Sequence, residues 1–129
     1  MIVVDSSVWI DYLRGKATPQ VENLDTLIGQ RSLIVGDVIL CEVVLGVSSE
    51  REAQTVESAL RQFDLVPMLG VEQALRAAAL YRTLRGKGIT IRKTIDLIIG
   101  AWCIAHGAKL LHNDRDFALL ERHAGLLPA

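Results

Sequence analysis

The amino-acid sequence predicts an α/β fold with a mainly parallel central sheet and helices on both faces. Three observations carry the prediction. Short apolar, β-branched runs recur along the chain, each leads into a segment with helical spacing of apolar residues, and the alternation holds from end to end. Runs that are apolar throughout, rather than every second residue, suit strands buried on both faces, as in parallel sheets.

Met1–Val4 is the first such run and ends at Asp5. Ser6 and Ser7 offer N-cap chemistry for a helix through Val8, Trp9, Tyr12 and Leu13, stopped at Gly15. Thr18-Pro19 opens a second helix, with proline at its first position and Val21, Leu24, Leu27 and Ile28 on one face. Ser32–Val35 reads as the second strand, closed by Gly36. Asp37 is then expected to cap a helix carrying Ile39, Leu40, Val43 and Val44 to about Gly46. A further helix runs through Ala53, Val56, Leu60 and Phe63, and Asp64–Pro67 is a third strand whose proline marks an edge or an end. From Val71 a long helix reaches the Gly86-Lys87-Gly88 loop. Thr90 or Thr94 starts the next helix, which stops at Gly107. Lys109–His112 is a fourth strand, Asn113-Asp-Arg-Asp116 follows, and a last helix starts at Phe117. The tail Leu126–Pro128 either adds an edge strand or simply packs.

A length of 129 residues indicates one domain over 1–129 with room for a proper core. Hydrophobic residues make up 50% of the chain, which argues against disorder. No apolar stretch is long enough to span a bilayer, and Met1–Val4 runs into Asp5 with no basic segment or cleavage site. The expected location is therefore the cytoplasm. Cys41 and Cys103 fall in apolar helical patterns without ligand-spaced partners, and both are expected to be buried thiols rather than zinc ligands.

The net charge of -1 does not announce a nucleic-acid binder. The charge distribution says more. Arg82, Arg85, Lys87, Arg92 and Lys93 occupy one stretch that contains no acid. A solvated face is the ordinary reading of such a run. It gains meaning only beside an acidic pocket.

The acids carry the functional signal. Asp5 follows the first strand, Glu42 lies in the helix after the second, Asp96 opens the helix after the Gly-Lys-Gly loop, and Asp114 and Asp116 follow the fourth strand. In an open parallel sheet, strand C-termini and the ensuing helix N-termini share one edge, where ligands bind. Singly, each acid has a structural explanation as a cap, a dipole partner or a turn residue. Together they would repel one another unless a cation lay between them. Carboxylates without histidine or cysteine suit Mg²⁺ or Mn²⁺. Asp37 is read as a cap rather than a ligand. His112 could line the pocket but fits a core or rim position better, His106 sits at a helix C-terminus, and His123 is expected to be exposed. Trp9, Tyr81 and Trp102 fall on apolar faces and are read as core or dimer contacts rather than base-stacking platforms.

The segments MIVVDSSVWIDYLRG, GDVILCEVVLGV and RGKGITIRKTIDLIIGAWCIAHGAKLLHNDRDF resemble PIN domains, VapC toxins in particular, from Ile2 to about Phe117. The resemblance implies a three-layer α/β/α sandwich and a metal-dependent endoribonuclease toxin of a type II toxin–antitoxin module. It matches Asp5, Glu42, Asp96 and Asp114 to the family's four acids, with Asp116 as a further metal-orienting acid. Ser7, or less well Ser6, matches the hydroxyl after the first acid, and Thr94 the hydroxyl two places before the third. Asn113 stands where many relatives carry serine or threonine, which puts a hydroxyl role there in doubt but leaves the metal role of Asp114. A homodimer and a cognate VapB-type antitoxin whose C-terminal segment covers the pocket are likewise implied.

The expected reaction is hydrolysis of an RNA phosphodiester by metal-activated water, leaving a 5′-phosphate and a 3′-hydroxyl. The basic run then borders the pocket, and Arg85, Lys87, Arg92 and Lys93 become candidates for guiding phosphates. A non-enzymatic metal- or partner-binding α/β module is the alternative. A phosphatase or receiver domain fits less well, because Asp5-Ser-Ser lacks a second aspartate of the Asp-x-Asp pattern. No helix-turn-helix is present, so DNA binding would be expected of a partner.

Overall fold

A computed structural model describes residues 1–30 and 32–129. Five strands form one sheet: β1 (Ile2–Val4), β2 (Leu33–Gly36), β3 (Asp64–Val66), β4 (Lys109–Leu111) and β5 (Leu127–Pro128). Seven helices are described: α1 (Ser6–Leu13), α2 (Pro19–Ile28), α3 (Asp37–Leu45), α4 (Glu50–Leu60), α5 (Val71–Gly86), α6 (Thr94–His106) and α7 (Arg115–Ala124). The sheet order is β3-β2-β1-β4-β5 and every pairing is parallel. The fold class holds, the strand expected over Asp64–Pro67 ends at Val66 and lies at the sheet edge, and the tail does become an edge strand.

Strand order places the helices. The chain winds outward from β1 to β3, then returns to pair β4 with the other side of β1. Because parallel crossovers keep one hand, reversing the winding direction puts the two sets of helices on opposite faces. Accordingly α1 packs on α2 and α3 and α3 on α4, while α5, α6 and α7 pack on one another. The result is the α/β/α sandwich. Val3 and Val4 of β1, Val35 of β2 and Leu110 of β4 are buried among Trp9, Ile39, Ile99, Phe117 and Leu120 from the two helical layers.

Local chemistry sets the helix ends. Thr18 Oγ1 accepts from the Val21 N–H at 3.0 Å, and Ser49 Oγ accepts from the Glu52 N–H at 3.1 Å while Glu52 reaches back to Ser48. Gly107 closes α6 at φ 63, in the left-handed region that favours glycine. Four expectations are corrected. Ser6 and Ser7 do not cap α1: Asp5 holds the cap position, and both hydroxyls turn to carboxylates instead. Gly36, not Asp37, is the cap residue of α3. Asp37 opens the helix and its Oδ1 accepts from the Val38 and Met68 N–H groups, both at 2.8 Å, tying α3 to the chain leaving β3. Cys41 is exposed, since it lies on the outer face of α3, whereas Cys103 is buried and burial pushes its thiol up to about 12. His123 is half-buried rather than exposed, because α7 folds back onto α6.

Close packing at the end of β2 leaves no room for a side chain at Gly36. A Cβ there would overlap three atoms of the fully buried Met68. Gly36→Ala should therefore destabilise the protein by about 1–3 kcal/mol, the usual range for overpacking. Adding Met68→Ala should cost less than the sum of the two single changes, because the enlarged site accepts the new methyl. Urea unfolding of the four proteins measures this, and additive losses would contradict the packing account.

Candidate active site

The topology itself selects a location. Strand order changes direction between β1 and β4, and ligands of open parallel sheets settle outside the strand C-termini at such a switch. Asp5 leaves β1 and Asp114 follows β4, one on each side of that crevice. A hydrogen bond of 2.9 Å from the Asp5 N–H to the Leu111 carbonyl joins the two strand ends.

Asp96 enters from α6. This helix is buried continuously from Asp96 to Cys103, so its first turn is pressed against the strand ends. Asp5 and Asp96 are each only 5% exposed, a rare state for carboxylates without a paired cation. Glu42, one turn into α3, approaches from the other helical layer and accepts from Ser6 Oγ at 3.1 Å. Ser7 Oγ donates to Asp5 Oδ2 at 2.7 Å. Across the crevice Asp114 caps α7, its Oδ1 accepting from the Asp116 N–H at 2.7 Å. Carboxylate oxygens of Asp96, Asp114 and Asp116 all lie within 4.8 Å of one another.

The electrostatics follow from burial and crowding. Burial is the first cause that lifts the carboxyl of Asp96, to about 7, with the charges of Asp114, Asp5 and Glu42 adding to it and Lys93 opposing. Asp5 is raised by burial and by Asp114, against the pull of the Ser7 hydroxyl and neighbouring backbone N–H groups. Glu42 is raised by burial and by Asp5, with Ser6 and Lys93 opposing. Among the described residues the Ser6 hydroxyl is the hydrogen-bond partner of Glu42.

These residues fit a hard divalent cation. The donor set is oxygen only, three carboxylates are close enough to share one ion, and Asp96 Oδ2 is buried without any hydrogen-bond partner. A cation would satisfy that oxygen and relieve the repulsion that lifts the carboxyl.

Other residues singled out from the sequence separate into two groups. Asn113 and Arg92 line a cleft of about 370 Å³ with Asp114, Arg115 and Asp116, and Lys93 is close enough to act on Asp96 and Glu42. Arg85 and Lys87 instead have structural partners: Arg85 Nη1 donates to Thr90 Oγ1 at 3.2 Å, and Lys87 Nζ donates to the His123 carbonyl at the end of α7 at 3.2 Å. Thr94 is exposed beside a larger, mainly apolar groove between α5 and α6, outside the hydroxyl bonds that hold the acids. Sequence reasoning passed over Arg115, set within the Asn-Asp-Arg-Asp run, and placed Ser6 behind Ser7 although both hydroxyls bond an acid. Two consecutive serines directly after the strand-end acid were the available signal.

An acid-edged switch point on an α/β/α sandwich defines a class of carboxylate-site proteins, and comparison with known proteins narrows it. The PIN domain family model matches residues 2–122. "VapC ribonuclease Mb1587" of Mycobacterium bovis and "Ribonuclease VapC11" of Mycobacterium tuberculosis are each 30% identical to this chain over 134 residues, covering 100% of it and 98% of the relative. The chain belongs to the PIN-domain family, on the VapC side of it. At the level of fold it is similar to VapBC2 from Rickettsia felis bound to a promoter DNA fragment (TM-score 0.78, 19% identity, 100% and 98% of the two chains covered). DNA-bound VapBC from Salmonella typhimurium is comparable (TM-score 0.75, 17% identity, 99% and 96% covered).

Raised carboxyls make stability depend on pH in a defined direction. Between the ordinary value of 3.8 and about 7, native Asp96 holds a proton that the unfolded chain has lost, so metal-free stability falls as pH rises through that window. Asp96→Asn removes this loss. Without metal at pH 8 its melting temperature should exceed that of wild type by on the order of 5 °C, and Mn²⁺ should stabilise wild type but not the variant. A variant that melts below wild type at pH 8 would contradict the charge account.

Proposed function

We infer that this protein is a metal-dependent endoribonuclease toxin of a type II toxin–antitoxin module. One observation carries the reading: a PIN-domain chain gathers Asp5, Glu42, Asp96, Asp114 and Asp116 at the switch point of its sheet and leaves a buried Asp96 oxygen unsatisfied. Asp96, Asp114 and Asp116 would hold Mg²⁺ or Mn²⁺, with Asp5 and Glu42 completing the acidic site. When bound, the cation supplies charge neutralisation on the phosphate and a lowered pKa for its water.

The chain's own residues do the rest. Ser6 and Ser7 fix the rotation of the Glu42 and Asp5 carboxylates, so neither turns away when the site is empty of charge compensation. Arg92 and Arg115 line the cleft beside Asp114 and Asp116 and offer cationic contacts to backbone phosphates approaching an otherwise anionic rim. His112 already bonds Glu121 and the Asp114 N–H, so it is not free to act as a general base on a ribose hydroxyl. Hydrolysis accordingly leaves a 5′-phosphate and a 3′-hydroxyl.

Residues 1–129 form one PIN domain that works in the cytoplasm; no described helix is long and apolar enough to cross a membrane. Its regulator is a VapB-type antitoxin. The groove between α5 and α6, about 790 Å³ and lined by Ala74, Ala78, Tyr81, Leu97 and Ile98, shares Thr90 and Arg92 with the acidic cleft. An apolar antitoxin segment laid there runs directly to the acids. Val71 and Leu75 remain exposed on α5 and supply apolar surface for a homodimer.

Cleavage of single-stranded and structured RNAs by antitoxin-free protein tests the activity. Cutting should require Mg²⁺ or Mn²⁺, stop with EDTA, be lost in Asp96→Asn, and leave 5′-phosphate ends. Cyclic 2′,3′-phosphate ends would overturn the mechanism, and folded, metal-loaded protein that cuts no RNA would favour a binding module. The basic run should divide: Arg92→Ala should weaken RNA binding and reduce its salt slope by about 1, while Lys87→Ala leaves that slope unchanged. Equal effects from the two would return the run to a general surface charge.

A further inference from the structure

The segment from β4 to α7 carries Asp114 and Asp116, and two successive bonds of one pattern hold it. The Asp114 N–H donates to His112 Nδ1 at 3.1 Å, and the Asp116 N–H donates to Asp114 Oδ1 at 2.7 Å. In each, a side chain accepts from the backbone two residues on, the geometry of an Asx turn with histidine standing in at the first position. An acceptor at Nδ1 must be unprotonated, so the ring proton belongs on Nε2. There the ring meets Glu121 Oε1 at 2.9 Å, a carboxylate that can only accept from it in its ionised form. Phe117 packs against the same ring with centroids 5.3 Å apart, and the His112 side chain is 10% exposed. The Asp114 amide and Glu121 thus require the same tautomer, Glu121 and Phe117 hold the ring in place, and Nδ1 receives the Asp114 amide.

We propose that His112, locked by Glu121, is a positioning residue that aims the Asp114 carboxylate at the cation through the Asp114 backbone amide. The logic is that of the carboxylate–histidine pairs behind metal ligands, with a backbone N–H in the place of the metal. The proposal rests on the metal-site reading given above. Loss of such outer partners typically weakens metal binding by about 10–100-fold.

The test compares Mn²⁺ affinity, by calorimetry on the full chain without RNA, in wild type, His112→Asn and His112→Leu. Both variants lose the ring and its packing on Phe117, and they have similar shape, but only asparagine keeps an acceptor near Nδ1. His112→Asn should bind Mn²⁺ within a few-fold of wild type, and His112→Leu about 10–100-fold more weakly. Equal affinity of the two variants would overturn the proposal, because a merely structural role would move both alike. Nitrogen-15 NMR of the wild-type imidazole gives a readout independent of any variant's folding. It should show protonation at Nε2 with Nδ1 bare, as the Asp114 N–H requires. Protonation at Nδ1 in wild type would overturn the proposal outright. Wild type that takes up no Mn²⁺ would overturn the metal-site reading and the metal role of His112 with it, while wild-type binding matched by His112→Leu would overturn only the role of His112.

Discussion

Mutual repulsion of buried carboxylates is the constraint around which the rest of this molecule is arranged. Asp5 and Asp96 are almost wholly removed from water, Asp114 faces both, and Glu42 adds its charge from the other helical layer. Left to relax, such groups would separate or draw in solvent, since desolvation and like charge both disfavour the ionised form. Relaxation is blocked by the elements that carry them. Asp5 is fixed by strand pairing on both sides of β1, and Asp96 by a helix buried without interruption from that residue to Cys103. The unsatisfied Asp96 oxygen is the residue of that conflict, and a cation placed beside it would resolve it.

The supports differ across the crevice, and the difference has consequences. Asp5 and Asp96 depend on regular elements held by apolar packing, where small changes in side-chain polarity have little leverage. Asp114 and Asp116 depend on a turn and the first residues of α7, held by side-chain acceptors for backbone N–H groups. Polar supports of this kind are directional, and removing one partner leaves a buried group unsatisfied as well as a bond unmade. The carboxylates of the β4–α7 side are thus the part of the site whose aim is most sensitive to single polar substitutions.

Much of this was legible in the sequence because the relevant signals are local. Apolar runs such as Met1–Val4 and Lys109–Leu111, each followed by an acid and then a helical pattern, place Asp5 and Asp114 at strand C-termini before any contact is known. The parallel sheet then brings them to one edge. Less legible were features set by relations between elements. Whether Ser6 caps a helix or bonds an acid depends on where Glu42 arrives from α3, thirty-six residues away. Lys87 reads as a free cation in a basic run, yet α7 brings a helix-end carbonyl to it. Asp37 has every mark of a cap, but the neighbouring Gly36 takes the extended backbone and Met68 claims the carboxylate. The exposure of Cys41 turns on which face of α3 meets the sheet, and with apolar residues all round Cys41 except at Glu42 the helix shows too little contrast between faces to signal that choice.

Placement of positive charge completes the electrostatic arrangement. With a net charge of -1, the molecule has no general attraction for a polyanion, and its most concentrated negative field lies where RNA would react. Lys93 opposes that field from within, since it lowers the carboxyls of Asp96 and Glu42. Arg92 and Arg115 oppose it from the wall of the cleft. A cation bound among the acids would shift the balance further, turning a repulsive centre into one that accepts a phosphate. On the proposed reading, substrate binding and metal binding are therefore coupled through charge: carboxylates that would hold a metal repel RNA in its absence, and the protein should engage RNA at this cleft chiefly in its metal-loaded form.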